Sequence, residues 1–242
     1  MQIHYQKDGP TGWITLDNPP RNSLDHPVFA DRAELAAFFN EPQLKQVIIK
    51  GNGRHFCDGA DLRRLADLAQ KPLLLKQALN QGKELLDIIS TATIPVAALI
   101  SGSCLGGGLE LALSCHFRFA ANSAMFGFPE TDHQLMPGQG GTLYAGELIH
   151  HHHLIDLILS ARLIGANEAK ELGMIHDTAP ARTVQDRLLD FLHRLTDKRT
   201  PEQIRAVMRS IHNGRLLPPR EALQEETRLF CQLAAKRDRD TT

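Results

Sequence analysis

Apolar and polar positions along the chain fall into two regimes: short β-type runs alternate with helical stretches up to residue 181, and beyond it the spacing is helical only. Ile3 to Tyr5 and Trp13-Ile14-Thr15-Leu16, parted by Asp8-Gly9-Pro10, predict a hairpin. The prolines of Asn18-Pro19-Pro20-Arg21-Asn22 bar regular structure and predict a loop. A helix is expected from Pro27 to Phe39, with Asp25 capping its start. The β-branched run Val47-Ile48-Ile49-Lys50 predicts a buried strand. After the loop from Gly51 to Gly59 come a short helix around Ala60 to Leu68 and a long one from Pro72 to Ile89, whose proline suits a first turn.

The middle of the chain is the most punctuated. The apolar run Pro95-Val96-Ala97-Ala98-Leu99-Ile100 breaks at Ser101-Gly102-Ser103-Cys104-Leu105 and enters the helix start Gly106-Gly107-Gly108-Leu109-Glu110. Phe117 to Ala120 reads as another strand. Phe126-Gly127-Phe128-Pro129-Glu130 leads through a loop into Pro137-Gly138-Gln139-Gly140-Gly141. Leu143 to Leu159 reads as helix interrupted near His150 to His153. Ala166 to Leu172 is a short helix stopped by Gly173, and Met174 to Thr178 is a last strand. Helices follow at Val184 to Leu195, Pro201 to Ile211 and Arg220 to Lys236; Leu188, Leu189, Leu192 and Leu195 give the first an apolar stripe. The tail from Arg237 is expected to be disordered. The pattern predicts an α/β fold with an open parallel sheet over 1–181, and a helical region over 182–242.

Composition narrows the function. The chain has 242 residues, 42% apolar and 23% charged, enough for a large core. A formal charge of −1 gives nucleic acid or an anionic membrane no electrostatic footing. No window approaches the roughly 18 unbroken apolar residues of a membrane span, and Met1 to Tyr5 lacks the basic start of a secretory signal. Cys57, Cys104, Cys115 and Cys231 form no C-x-x-C pair, so reduced thiols in the cytoplasm and no structural metal are expected. Neither G-x-G-x-x-G, G-x-x-x-x-G-K-[ST] nor G-x-S-x-G is met, which removes the dinucleotide, P-loop and hydrolase-elbow readings. The His150 to His153 run reads as a solvated helix face or turn.

The candidate chemistry lies at the glycine triplet. Side-chain-free backbone opening a helix leaves N–H groups uncovered at a weakly positive end, which suits an oxygen that gains negative charge. Glu110 lies one turn inside that helix and faces the same opening. Glu130 arrives from a separate loop, and two carboxyls beside such a turn make an acid/base pair.

Phe56-Cys57-Asp58-Gly59-Ala60-Asp61-Leu62, the Gly106 to Glu110 helix start, Phe126 to Glu130 and Pro137 to Thr142 resemble, in order and spacing, the enoyl-CoA hydratase (crotonase) superfamily. Asn22-Ser23-Leu24 and the segment Ser160 to Ile175 add to the likeness, which runs from Ile14 to about Pro180. The resemblance implies a crotonase-like spiral of repeated β-β-α turns, with C-terminal helices over 182–242 that build homotrimers or hexamers and cover the site. It implies an acyl-CoA substrate, with coenzyme A as part of the substrate and no separate cofactor. The backbone N–H groups of Asp58 and Gly107 would hold the thioester oxygen as it becomes enolate-like. Glu110 would act as base on water at C3 and Glu130 as acid at C2, with Gly138 offering an N–H to the water. Arg21, Ala60, Asp61 and Leu62 fall at coenzyme A-binding positions, and Lys236 and Arg237 are further phosphate candidates.

Three departures from the family pattern matter. Asp58 replaces a small neutral residue; an inward carboxylate would oppose an enolate by roughly 4 kcal/mol at about 4 Å, so Asp58 is expected to point outward toward Arg63 or Arg64. Thr131-Asp132-His133-Gln134 is polar where the family is mostly apolar, which either makes the acyl pocket more polar or puts polar groups on a subunit surface; the surface is the favoured reading. The family's usual stretch after the last helix is missing. Hydration of an enoyl-CoA is the leading reading. Isomerisation, decarboxylation or dehydration on an acyl-CoA or carrier-protein-bound chain is its nearest rival, and a non-catalytic acyl-CoA-binding subunit is the third.

Overall fold

The computed structural model describes residues 1–240, with side chains to residue 236. The strands are β1 (Gln2–Asp8), β2 (Thr11–Asp17), β3 (Gln46–Gly51), β4 (Val96–Ile100), β5 (Ser103–Leu105), β6 (Phe117–Ala121), β7 (Met125–Gly127), β8 (Ile164–Gly165) and β9 (Asp177–Ala179). The helices are α1 (Arg32–Phe39), α2 (Leu62–Ala69), α3 (Pro72–Ser90), α4 (Gly107–Ser114), α5 (Gly141–Gly146), α6 (His151–Leu159), α7 (Ala166–Glu171), α8 (Val184–Thr196), α9 (Pro201–Leu216) and α10 (Pro219–Asp240), with a 3₁₀ turn at Pro129–His133.

Six strands form one sheet in the order β1-β2-β3-β4-β6-β9, parallel except for the β1-β2 hairpin. The short β5, β7 and β8 form a second sheet. The chain visits the large sheet, then the small one, then a helix, as in β4-β5-α4, which is the spiral that the family resemblance implies.

Period-two alternation fills both faces of the large sheet. Val47, Ile49, Val96, Ala98 and Ile100 enter the main core, while Ile48, Ala97, Leu99 and Phe119 meet Val184, Leu188 and Leu192 of α8. Of the stripe read from the sequence, Leu188 and Leu192, with Leu189 partly buried, form the outer cover of the sheet, supplied from beyond residue 181, while Leu195 is exposed. Farther on, Arg205 of α9 donates to the Phe39 and Glu41 carbonyls, which ties that helix to the end of α1.

Several local expectations shift. The first helix begins only at Arg32, because Asp31 accepts from the Glu34 N–H and caps it; Asp25 instead pairs with the Met1 amine and Arg64. The last strand is Asp177–Ala179, and the break after Ile100 contains β5. His151, His152 and His153 form the first turn of α6, with the first two exposed. The helix α10 is bounded by Pro219–Asp240, and the disorder expected from Arg237 onward falls on residues outside those whose side chains are described, with Thr241 and Thr242 outside the described residues altogether. Among the described residues, no helix is long and apolar enough to cross a membrane.

Candidate active site

Three tethers build the site. Asn22, fully buried, donates from Nδ2 to the Asn52 and His55 carbonyls at 2.9 and 2.7 Å. The Leu24 N–H then donates to the Gly59 carbonyl, and the Asp61 N–H to that of Leu24. The Asn-Ser-Leu element thereby fastens residues 22–24 along the 56–61 loop. At the far end of α4, buried Arg118 donates to the carbonyls of Cys115 (2.5 Å) and Met174 (2.7 Å), a cationic cap on the helix C-terminus. Lastly, the Gly106 N–H donates to the Gly127 carbonyl, while Phe126 and Phe128 are buried in the core. That bond brings Pro129 and Glu130 against the head of α4.

Two glycines are demanded by this packing. Gly106 has φ +49°, and a Cβ there would stand 2.9 Å from Glu130 Oε1. A Cβ at Gly108 would stand 2.3 Å from the Cys57 carbonyl oxygen, so α4 lies on the Cys57 backbone at a distance no other residue allows.

Glu110 and Glu130 line one cavity of about 260 Å³, together with Asp58, Ala60, Leu62, Gly107 and Gly138. Leu24, Leu65, Leu75, Leu79 and Met136 make most of its wall apolar. Glu110 is 2% exposed, and its Oε1 accepts the N–H groups of Gln139 and Gly141, both at 2.8 Å. Burial raises its pKa, while the Gly141 and Gln139 N–H groups pull the other way. Glu130 is held less: its own backbone N–H favours its charged form, but its buried Oε2 has no hydrogen-bond partner among the described residues. Burial first, then the charge of Glu110, pushes its pKa up to about 7. The neighbouring carboxyls are thus unequal in what stabilises their charge.

Gly107 is the first residue of α4, so its N–H has no acceptor within the helix. Asp58 differs from the expectation of a free amide: its N–H donates to the Arg21 carbonyl at 3.1 Å. Its carboxylate turns neither to Arg63 nor to Arg64. Oδ2 accepts from Arg21 Nη1 at 2.8 Å and Oδ1 from the Ser103 hydroxyl, because the 18–22 loop and β5 lie nearer than α2. Arg21 is therefore engaged twice by Asp58, and its side chain is 69% exposed. Asp58→Ala is expected to cost about 1–2 kcal/mol of stability, an ion pair between an exposed arginine and a carboxylate only 9% exposed plus one hydroxyl bond, read from denaturant unfolding.

The remaining positions divide. Asp61 does not line the cavity; it caps α2 by accepting the Arg63 and Arg64 N–H groups. Lys236 lies 3.8 Å from Glu202, and the side chain of Arg237 is outside the described residues. His133 lines the cavity, as the less favoured reading of this segment had it: the 3₁₀ turn places it one turn beyond Glu130 on the same face. None of the described residues beyond 181 lines the cavity, so this chain's C-terminal helices do not cover it. They go to the outer face of the sheet and to the end of α1. Sequence reasoning missed Gln139, buried at 8% exposure in the cavity wall, although it stands between the glycines of Pro-Gly-Gln-Gly-Gly.

Comparison with known proteins gives concordant results. A family described as enoyl-CoA hydratase/isomerase matches residues 9–241. The enoyl-CoA isomerase/hydratase fer4 of Mycosarcoma maydis is 33% identical over 237 residues, covering 93% of this chain and 85% of that protein. The peroxisomal bifunctional enzyme of Danio rerio is 37% identical over 173 residues, covering 71% of this chain but only 23% of that protein. The chain spans less than a quarter of that larger enzyme's length and most of the fungal protein's. A crystal structure of an enoyl-CoA hydratase subunit I from Geobacillus kaustophilus HTA426 superposes with a TM-score of 0.84 at 29% identity, covering 99% of this chain and 92% of that one.

Proposed function

This chain belongs to the enoyl-CoA hydratase/isomerase family, and from that premise we propose that it adds water reversibly across the C2–C3 double bond of an acyl-CoA thioester. The carrying observation is the unequal pair of carboxyls facing one mostly apolar cavity. Glu110, held by two amides, is the better anion and the base. Glu130, with an unpartnered oxygen and a pKa near 7, is the better proton reservoir and the acid.

In the hydration direction Glu110 takes a proton from water as its oxygen bonds to C3, and the C2–C3 π electrons move toward the thioester oxygen. Glu130 then delivers its proton to C2, and proton transfer from Glu110 back to Glu130 closes the cycle with one water consumed. The Gly107 N–H, at the positive end of α4, would hold the oxygen as charge builds. The Asp58 N–H is its partner once it is shared with or released from the Arg21 carbonyl. Gly138 would contribute its N–H beside the water. Coenzyme A comes as part of the substrate, with its tail along Ala60 and Leu62 and Arg21 available to a phosphate.

Exposed Val207, Ile211, Leu223 and Phe230 on α9 and α10 are the surface on which copies would associate into a trimer or hexamer. Four free thiols, three of them buried, support a reducing compartment, the cytoplasm.

The test is turnover of crotonyl-CoA and a panel of longer enoyl-CoA thioesters, followed by loss of enoyl ultraviolet absorbance and by product mass. Products heavier by one water are expected. A product of unchanged mass with a moved double bond would assign isomerisation instead, and tight binding with no turnover would assign a binding subunit.

A further inference from the structure

The wall of the catalytic cavity contains a polar side chain that the chemistry of the two glutamates leaves unused. Gln139 is 8% exposed, and its backbone N–H is spent on Glu110. Its side-chain amide shares the cavity wall with Leu24, Leu75 and Leu79.

Its orientation is set from outside. A Cβ placed on Gly82, near the middle of α3, would stand 2.5 Å from Gln139 Oε1 and 2.7 Å from the Pro27 carbonyl oxygen. Glycine inside a helix costs about 1 kcal/mol against alanine; here it makes room for the amide, whose oxygen lies on α3. The amide nitrogen faces the other way. From the point where a Cβ on Gly107 would stand, Gln139 Nε2 and Glu110 Oε2 are each 3.9 Å away. An oxygen in contact with the Gly107 α-carbon is within reach of a donor on one side and the base on the other. Water, or the hydroxyl it becomes, fits both.

We propose that Gln139 is a further catalytic contact, donating from its side-chain amide to the oxygen that Glu110 activates. This rests on the hydration reading. The donor orients a lone pair of the water toward C3 and keeps a proton directed at Glu110 Oε2, while the negative charge on Glu110 remains held by backbone N–H groups.

Gln139→Met keeps length and bulk and removes the donor, and the backbone N–H to Glu110 is unaffected. Hydration of crotonyl-CoA by this variant is expected to fall about 10- to 100-fold in kcat, the worth of one hydrogen bond to a charged or charging group, with little change in KM. Deuterium exchange at C2 of butanoyl-CoA, which needs Glu130 and the thioester-oxygen donors but no attacking water, should stay at the wild-type rate. Gln139→Asn is expected to recover part of the hydration rate. Unchanged hydration in Gln139→Met, or hydration and exchange falling together, would overturn the proposal, the latter because it marks a packing role. If wild type hydrates no thioester yet exchanges the C2 proton, the hydration reading itself fails and takes this proposal with it.

Discussion

Glu110→Gln lowers kcat for hydration of crotonyl-CoA by about 100- to 10,000-fold, the usual worth of a positioned general base. The substitution is close to isosteric. The glutamine Oε1 can still accept the Gln139 and Gly141 N–H groups, so the 137–141 loop keeps its anchor on α4. What disappears is a group able to take a proton from water. KM is expected to move little, because the apolar wall and the head of α4 are untouched. The fold should be no weaker, since a 2% exposed ionisable group is replaced by a neutral one. Steady-state kinetics and a denaturation curve on the same preparation separate the two effects. Wild-type kcat in a folded Glu110→Gln protein would remove Glu110 from the reaction.

Glu130→Gln should lower kcat by a comparable factor and also change how the protein responds to pH. Glu130 is needed protonated, and its pKa is pushed up to about 7 by burial and by Glu110. Wild-type hydration is therefore expected to decline as pH rises through about 7. Stability should decline over the same range. The folded value lies above the ordinary 4.5, so between the two the folded chain keeps a proton that the unfolded chain has lost. Folding is thus favoured fully below about 4.5 and loses on the order of 3 kcal/mol as pH passes through about 7. Glu130→Gln removes that loss. Urea unfolding at about pH 5 and about pH 9 should leave the variant better off at the higher pH than wild type by that amount. It does so over a background shared by both proteins, in which Glu110, with a raised pKa, acts in the same direction and buried His116 and His176, with lowered pKa values, act in the opposite one. An equal drop in both proteins would show that Glu130 ionises at an ordinary carboxylate pH.

Most of the frame was legible because local signals and burial agree. The alternation of Trp13 to Leu16 and the β-branched run at Val47 predicted strands that do lie in the large sheet. The leucine stripe of α8 predicted a face, and Leu188, Leu189 and Leu192 of it pack on the sheet while Leu195 stays exposed. Helix boundaries were less legible. Asp25 and Asp31 are both suitable caps, and which one serves depends on where the chain amine and Arg64 lie. The Gly106-Gly107-Gly108-Leu109-Glu110 start was readable as chemistry, since only glycine suits φ +49° at 106 or the 2.3 Å approach at 108.

The chain by itself determined which residue types stand at the head of α4, and that a second carboxyl follows from a separate loop, because these are properties of order and spacing. Tertiary structure alone decided how each group is used. The Asp58 side chain went to Arg21 and Ser103, and its amide to the Arg21 carbonyl, because cross-loop contacts bring together residues 37 and 45 positions apart. Two like carboxyls became unlike because the 137–141 backbone reaches one and leaves Oε2 of the other without a partner among the described residues. A proton's affinity for a side chain is set by the dipoles and charges that surround it, and no order of residues states those until the chain has closed on itself.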